Sequence, residues 1–256
     1  MGAKPARWLA ITGRIATVCL GLAAVGWGGF MARMVWQQVP MTSMAVKIVG
    51  GEQFAPGVLE NFVTDALPKP LQGICQPVML RTMAVIRLRF AEQAIAAGDG
   101  SLIHQTQSAL DAALHRALSC APADPLLWLA VFWLENNVSG LQDDNFRSLR
   151  LSYHLGPNEG WLALRRNRFA VAIYPGLPDD LKQQATDEFV QLVRSDFITD
   201  AADILAGPGK PVSAILLSRL EGLDHQKLRF LSLILDGMGF EGTIPWSERS
   251  AHRRPG

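Results

Sequence analysis

Ile15-Ala-Thr-Val-Cys-Leu-Gly-Leu-Ala-Ala-Val-Gly-Trp-Gly-Gly-Phe-Met-Ala32 runs for eighteen residues without a charge, and nothing later in the 256-residue chain resembles it. As a helix rising about 1.5 Å per residue, this stretch spans roughly 27 Å, close to the hydrocarbon thickness of a bilayer. The uncharged flank 8–13 extends it further. It reads as a single membrane anchor ahead of a soluble domain. Lys4, Arg7 and Arg14 lie on its N-terminal side with no acidic residue, whereas only Arg33 follows before Lys47. The excess of positive charge predicts a cytoplasmic N-terminus, with the rest of the chain on the far side. Trp8 and Trp36 would then mark the two interfaces of a tilted helix, with Trp27 between them. Gly21, Gly26, Gly28 and Gly29 would let a second helix approach closely, in a homo-oligomer or a larger membrane complex. A cleaved secretory signal shares the basic start and apolar core. This core is long for one, however, and Phe30-Met-Ala-Arg-Met-Val-Trp36 offers no small-x-small cleavage site.

From Gln37 onward the chain has 20 Lys and Arg against 23 Asp and Glu, a formal balance of minus three. No basic surplus argues for nucleic acid, and the scattered aromatic residues do not interleave with basic ones as a single-strand platform requires. About 220 residues suffice for one domain or two joined halves.

Cys19 lies in the apolar run, which leaves Cys75 and Cys120 for the soluble part. Residues 76–97 carry Val78, Met79, Met83, Ile86, Phe90 and Ile95 at helical spacings, and Gly98-Asp-Gly100 breaks the pattern. A second helix is predicted over 101–119, with Leu102, Leu110, Leu114 and Leu118 on one side. If the two form an antiparallel hairpin, both cysteines lie at its open end. They would pair as a disulfide in an oxidising compartment, or remain two separate buried thiols.

The remaining punctuation divides the chain into the anchor (1–36), a linker or edge strand (37–55), a helical domain (56–240) and a basic tail (241–256). Pro56 opens a short amphipathic piece that Pro68 and Pro70 stop. Further helices are predicted over 125–138, 143–155, 159–173, 179–194, 199–205, 211–220 and 225–238, each bounded by Pro, Gly, Asp or Asn.

Ala117-Leu-Ser-Cys-Ala-Pro-Ala-Asp-Pro-Leu-Leu-Trp128 is echoed by Ser152-Tyr-His-Leu-Gly-Pro-Asn-Glu-Gly-Trp161, with Pro122 and Pro157 35 apart and Trp128 and Trp161 33 apart. A small residue late in one helix, a Pro turn and an aromatic residue in the next helix, at a period near 34, resemble the tetratricopeptide repeat over residues 110–170. The resemblance implies stacked helical hairpins whose concave side is open to partners. The chain departs from the pattern at Phe132 and at Asp144-Asn145, where small residues are expected, and the period does not continue past Ile173. The expected fold class is therefore all-α, one transmembrane helix followed by an irregular array of helical hairpins and a C-terminal helical cap.

Little points to catalysis. His104 and His115 share a helical face but stand about three turns, roughly 16 Å, apart, too far to hold one metal ion. No Gly-rich phosphate loop follows a strand and no Gly-x-Ser-x-Gly elbow occurs, so neither enzyme, metal nor cofactor is expected. Asp143-Asp144 and Asp179-Asp180 sit where helices begin, as caps do. Arg147, Arg150, Arg165, Arg166 and Arg168 form a basic segment, and Asp179, Asp180, Asp187, Glu188, Asp196, Asp200 and Asp203 an acidic one. Two uses are open for the arginines. They pair across neighbouring helices, each exposed pair contributing about 0–1 kcal/mol. Otherwise Arg165, Arg166 and Arg168, with Trp161, Arg147 and Arg150 beside them, line a concave face and hold a carboxylate, a phosphate or an acidic segment.

The functional expectation is a bacterial inner-membrane protein whose periplasmic helical-repeat domain binds a protein partner as a scaffold or assembly factor, in cell-envelope or surface-polysaccharide biogenesis. The alternatives are an accessory subunit that contacts a larger complex through its membrane helix, and an enzyme acting on envelope material.

Overall fold

The computed structural model describes residues 4–55, 57–66 and 75–242, and among them every regular element is helical. Two compact units divide at Ala121 and Pro122.

The first unit opens with α1, a 46-residue helix, Lys4–Val49. Within it Gly13–Arg33 is long and apolar enough to cross a membrane, with mean hydropathy 1.8 and none of it buried by the rest of the chain. The second part of the same helix behaves differently. Met41, Ala45 and Ile48 recur on one helical face and are buried against α3, Pro77–Ala97. The expected linker or edge strand over 37–55 is thus corrected: helix continues to Val49, because three apolar residues at i, i+4 and i+7 bury a stripe that a strand would split between two faces. Only residues 50–55 form a connection, tied to α3 by Gln93 Nε2 donating to Phe54 O at 3.2 Å. A short helix, α2 (Val58–Asn61), and a π-helical turn at Phe62–Ala66 follow. Pro56, Pro68 and Pro70 lie outside the described residues.

α3 turns at Gly98 into α4, Gly100–Cys120. Gly98 takes φ 74°, a left-handed value that costs glycine little. Asp99 then caps α4, accepting from the backbone N–H groups of Ser101 (3.0 Å) and Leu102 (3.2 Å). α3 packs against both α1 and α4, so Met79, Leu80, Met83, Val85 and Ile86 are buried around most of its circumference. At the open end of the hairpin Cys75 and Cys120 form a disulfide, with Cα atoms 5.6 Å apart. Of the two arrangements the sequence allowed, the bonded one is realised.

The second unit begins with α5 (Pro125–Ser139), capped by Asp124, and α6 (Phe146–Leu155). These form one hairpin, and α7 (Gly160–Ala172) with α8 (Asp179–Arg194) forms the next. First helices start at Pro125 and Gly160, 35 residues apart, and second helices at Phe146 and Asp179, 33 apart. Then come α9 (Ile198–Ala206), a 3-10 turn (Lys210–Val212), α10 (Ser213–Ser218) and α11 (His225–Gly237), with α9 packed on α11. The single helix expected over 211–220 is therefore a 3-10 turn followed by a short α-helix. The tail 249–256 lies outside the described residues.

Phe132, where a small residue was expected, is fully buried, its ring 6.1 Å from Phe146 and 5.6 Å from Phe169. It joins α5, α6 and α7 through aromatic contact rather than by close helix approach. Asn145, at the other departure, closes the α5–α6 turn by donating to Ser139 Oγ and Gly140 O, both at 3.0 Å. Asp143 and Asp144 are not caps of α6, whose first residue is Phe146. Asp179 and Asp180 occupy the first turn of α8, where they complement the helix dipole.

Gly156 ends α6 where three elements converge. A Cβ there would lie 2.7 Å from Pro125 Cγ, 2.9 Å from Pro125 Cβ and 3.2 Å from Leu162 Cδ2. Gly156→Ala is expected to cost about 1–3 kcal/mol by overpacking, measured as a lowered urea midpoint without loss of helical circular dichroism. An unchanged midpoint would mean that the three elements separate at no cost.

Candidate functional site

The helical period places Leu181, Ala185, Glu188 and Leu192 of α8 on one buried face, so a carboxylate enters an otherwise apolar stripe. Its partner comes from α7. Arg166 is 0% exposed and donates from Nε (3.0 Å) and Nη2 (2.5 Å) to a single oxygen, Oε1 of Glu188. Nη1 donates to Ser152 O (2.6 Å) and Ser152 Oγ (3.2 Å), and Nη2 also to Gly156 O (3.0 Å). All five guanidinium N–H groups are thereby spent, two of them on carbonyls at the C-terminal end of α6, where Ser152 O also accepts from the Gly156 N–H at 3.2 Å. The Tyr153 ring stacks on the guanidinium at 4.2 Å.

Burial pushes the Glu188 carboxyl up to about 7, although Arg166 pulls the other way. The Tyr153 hydroxyl is raised well above its usual range, first by burial and then by the Glu188 charge. Glu188 Oε2 and Tyr153 Oη affect each other's protonation but make no hydrogen bond, and Gln184 Oε1 is likewise buried without a partner.

These groups line a cavity of about 550 Å³ in the second unit. Arg150, His154 and Asp187 supply its other charged or titratable lining, while Pro157, Leu192 and Phe197 supply apolar wall. Arg150 is exposed but engaged, donating from Nε (2.6 Å) and Nη2 (3.0 Å) to the two carboxylate oxygens of Asp180. That pairing holds Asp180 below the usual carboxylate range.

Of the six residues expected to bind a partner, Arg150 and Arg166 reach this cavity, and Arg147, Trp161, Arg165 and Arg168 are not among its lining residues. Arg147 and Arg168 are exposed, while Trp161 and Arg165 are half-buried. The expectation that Arg166 binds an anion on a concave face is corrected: its donors are used internally and its side chain is sealed in the core. The pairing alternative holds for Arg150–Asp180 and Arg166–Glu188. Sequence reading missed Tyr153, Gln184 and the role of Glu188. The detectable signal was a glutamate on the apolar face of α8, which requires a buried partner. A Cβ added at Gly21, Gly26, Gly28 or Gly29 would meet nothing within 4 Å, so this side of α1 is open. Among the described residues no three His, Cys, Asp or Glu side chains gather as a metal site.

Comparisons of the chain with protein-family models, with curated proteins and with solved structures return no match. Fold and site therefore define a class rather than a family. The chain is all-helical in its described residues, with one N-terminal helix long and apolar enough to cross a membrane and a charged cavity built between helical hairpins.

Proposed function

We propose that this chain is a single-pass protein of the bacterial inner membrane, N-terminus cytoplasmic, whose periplasmic helical domain binds a protein partner as a scaffold or assembly factor of the cell envelope. The observation that carries the reading is the division of labour within α1. Gly13–Arg33 is left wholly uncovered, yet Met41, on the same continuous helix, is 1% exposed against the globular part. Lipid is the solvent that accepts such a segment. Only about 12 Å of helix separates Arg33 from Met41, so the first unit would stand at a set height above the membrane, as suits a scaffold more than a loosely tethered enzyme. The hairpin recurrence near 34 residues is what a tetratricopeptide-like array would produce, and such arrays bind partners with side chains that their cores do not use.

A second reading, an accessory subunit that contacts its complex through the membrane helix, is favoured by the open glycine positions of α1. Membrane retention through a carbonate wash and activity of alkaline phosphatase fused after Gly256 are expected. Release by carbonate, or a silent fusion, overturns the proposal. A photo-crosslinking residue at Asn158, an exposed lining position of the cavity, is expected to trap the partner under the first reading. Replacing Gly21, Gly26, Gly28 and Gly29 with Leu abolishes assembly only under the second.

A further inference from the structure

The cavity between α6, α7 and α8 is bordered by buried polar atoms that nothing in the chain satisfies. Glu188 is 8% exposed and its Oε2 has no donor, Gln184 Oε1 has none, and Tyr153 Oη is unpartnered beside them. Arg166 cannot serve Oε2, because its five N–H groups already point at Glu188 Oε1, Ser152 and Gly156. Buried acceptors left unpaired carry a desolvation cost that a donor from outside would remove.

Charge points the same way. Arg166 and Arg150 are matched by Glu188 and Asp180, which leaves Asp187, exposed on the cavity lining, without an ion-pair partner among the described residues. An anion entering here would meet Asp187, with Arg150 already paired to Asp180 and Arg166 enclosed. A cation would complete the balance. Phe197 and Pro157 add an apolar wall against which an aliphatic stem can lie. A volume of about 550 Å³ exceeds one side chain and admits flanking backbone.

We infer that this cavity receives a basic side chain, arginine or lysine, carried on an extended segment of the protein partner. Its cationic head donates to Glu188 Oε2 and Gln184 Oε1 and faces Asp187, and its stem packs on Phe197 and Pro157. The inference rests on the partner-binding reading and gives that partner a chemistry.

The test uses the full-length, isotope-labelled chain in detergent micelles, titrated with N-acetyl-arginine amide and, as a neutral isostere, N-acetyl-citrulline amide, followed by NMR. Arginine amide is expected to bind at least tenfold more tightly and to shift the Gln184 side-chain amide. Glu188→Gln should abolish the preference. Asp187→Asn leaves the buried pair untouched, so it keeps the test meaningful if Glu188→Gln unfolds, and it should weaken arginine amide three- to tenfold. Equal binding of the two amides, or arginine binding unchanged by both variants, overturns the inference. Arginine preference without any crosslinked partner removes the partner reading and leaves the site. A crosslinked partner without arginine preference removes the site and leaves the reading.

Discussion

Glu188→Ala is expected to lower the unfolding free energy by about 3–5 kcal/mol, more than Arg166→Met does, although both break the same ion pair. The asymmetry follows from proton chemistry. Without Glu188, Arg166 stays charged at every accessible pH in a site of 0% exposure, with only neutral oxygens around it. Without Arg166, Glu188 can take up a proton, toward which burial has already moved it. Arg166→Met should therefore cost less at pH 5 than at pH 8. The double variant Arg166→Met/Glu188→Leu should lose well under the sum of the singles, since neither charge is then stranded. Urea unfolding followed by tryptophan fluorescence measures all three. Equal losses for the two single variants, independent of pH, would rule out a sealed ion pair.

The same carboxyl gives the native chain a pH dependence. Its folded value, about 7, lies above the ordinary 4.5, so on raising pH the unfolded chain releases the proton first. Its contribution is greatest below 4.5, falls by on the order of 3 kcal/mol up to pH 7, and is level above. The groups that act on it are Tyr153 from α6 and Arg166 and Asn167 from α7, while His154 and Asp187 line the same cavity. Glu188→Gln should flatten this slope.

Cys75→Ser/Cys120→Ser is the second large effect. The bond joins residues 45 apart, and closing a loop of that length in the unfolded chain restricts it by about 4 kcal/mol. Either single serine variant should lose the same amount, because each removes the bond. Reductant should bring the native protein to the same midpoint. The third cysteine, Cys19, lies in the apolar part of α1, so alkylation in intact cells also reports on compartment. Without reductant Cys75 and Cys120 should resist a maleimide that labels them after reduction, as an oxidising compartment requires. Free thiols at both positions in freshly lysed cells would contradict the proposed periplasmic side.

Much of the secondary structure was legible in local pattern. α8 begins and ends at the expected residues, Asp179 and Arg194, because Pro178 precedes it and Leu181, Ala185, Phe189 and Leu192 repeat at helical spacing. α3 was harder to place on a face. It is buried on two sides, so its apolar residues form no single stripe. The segment 37–49 misled because its Gln, Ser and Thr suit loops, and its helical stripe of three residues has meaning only once α3 supplies a surface.

The sequence by itself determined that an uncharged segment leads a chain whose described residues are helical in every regular element, that hairpins recur near a 34-residue period, and that a basic stretch precedes an acidic one. Each of these is a property of neighbours along the chain, where turn chemistry and apolar period act within a few residues. Tertiary structure alone decided which charges meet. Arg165, Arg166 and Arg168 look alike in sequence, yet successive residues on a helix point about 100° apart, so one guanidinium is sealed beneath α6 and α8 while Arg168 stays in water. The cavity acceptors are decided in the same way, because whether an oxygen is left without a donor depends on where residues 22 positions away come to rest.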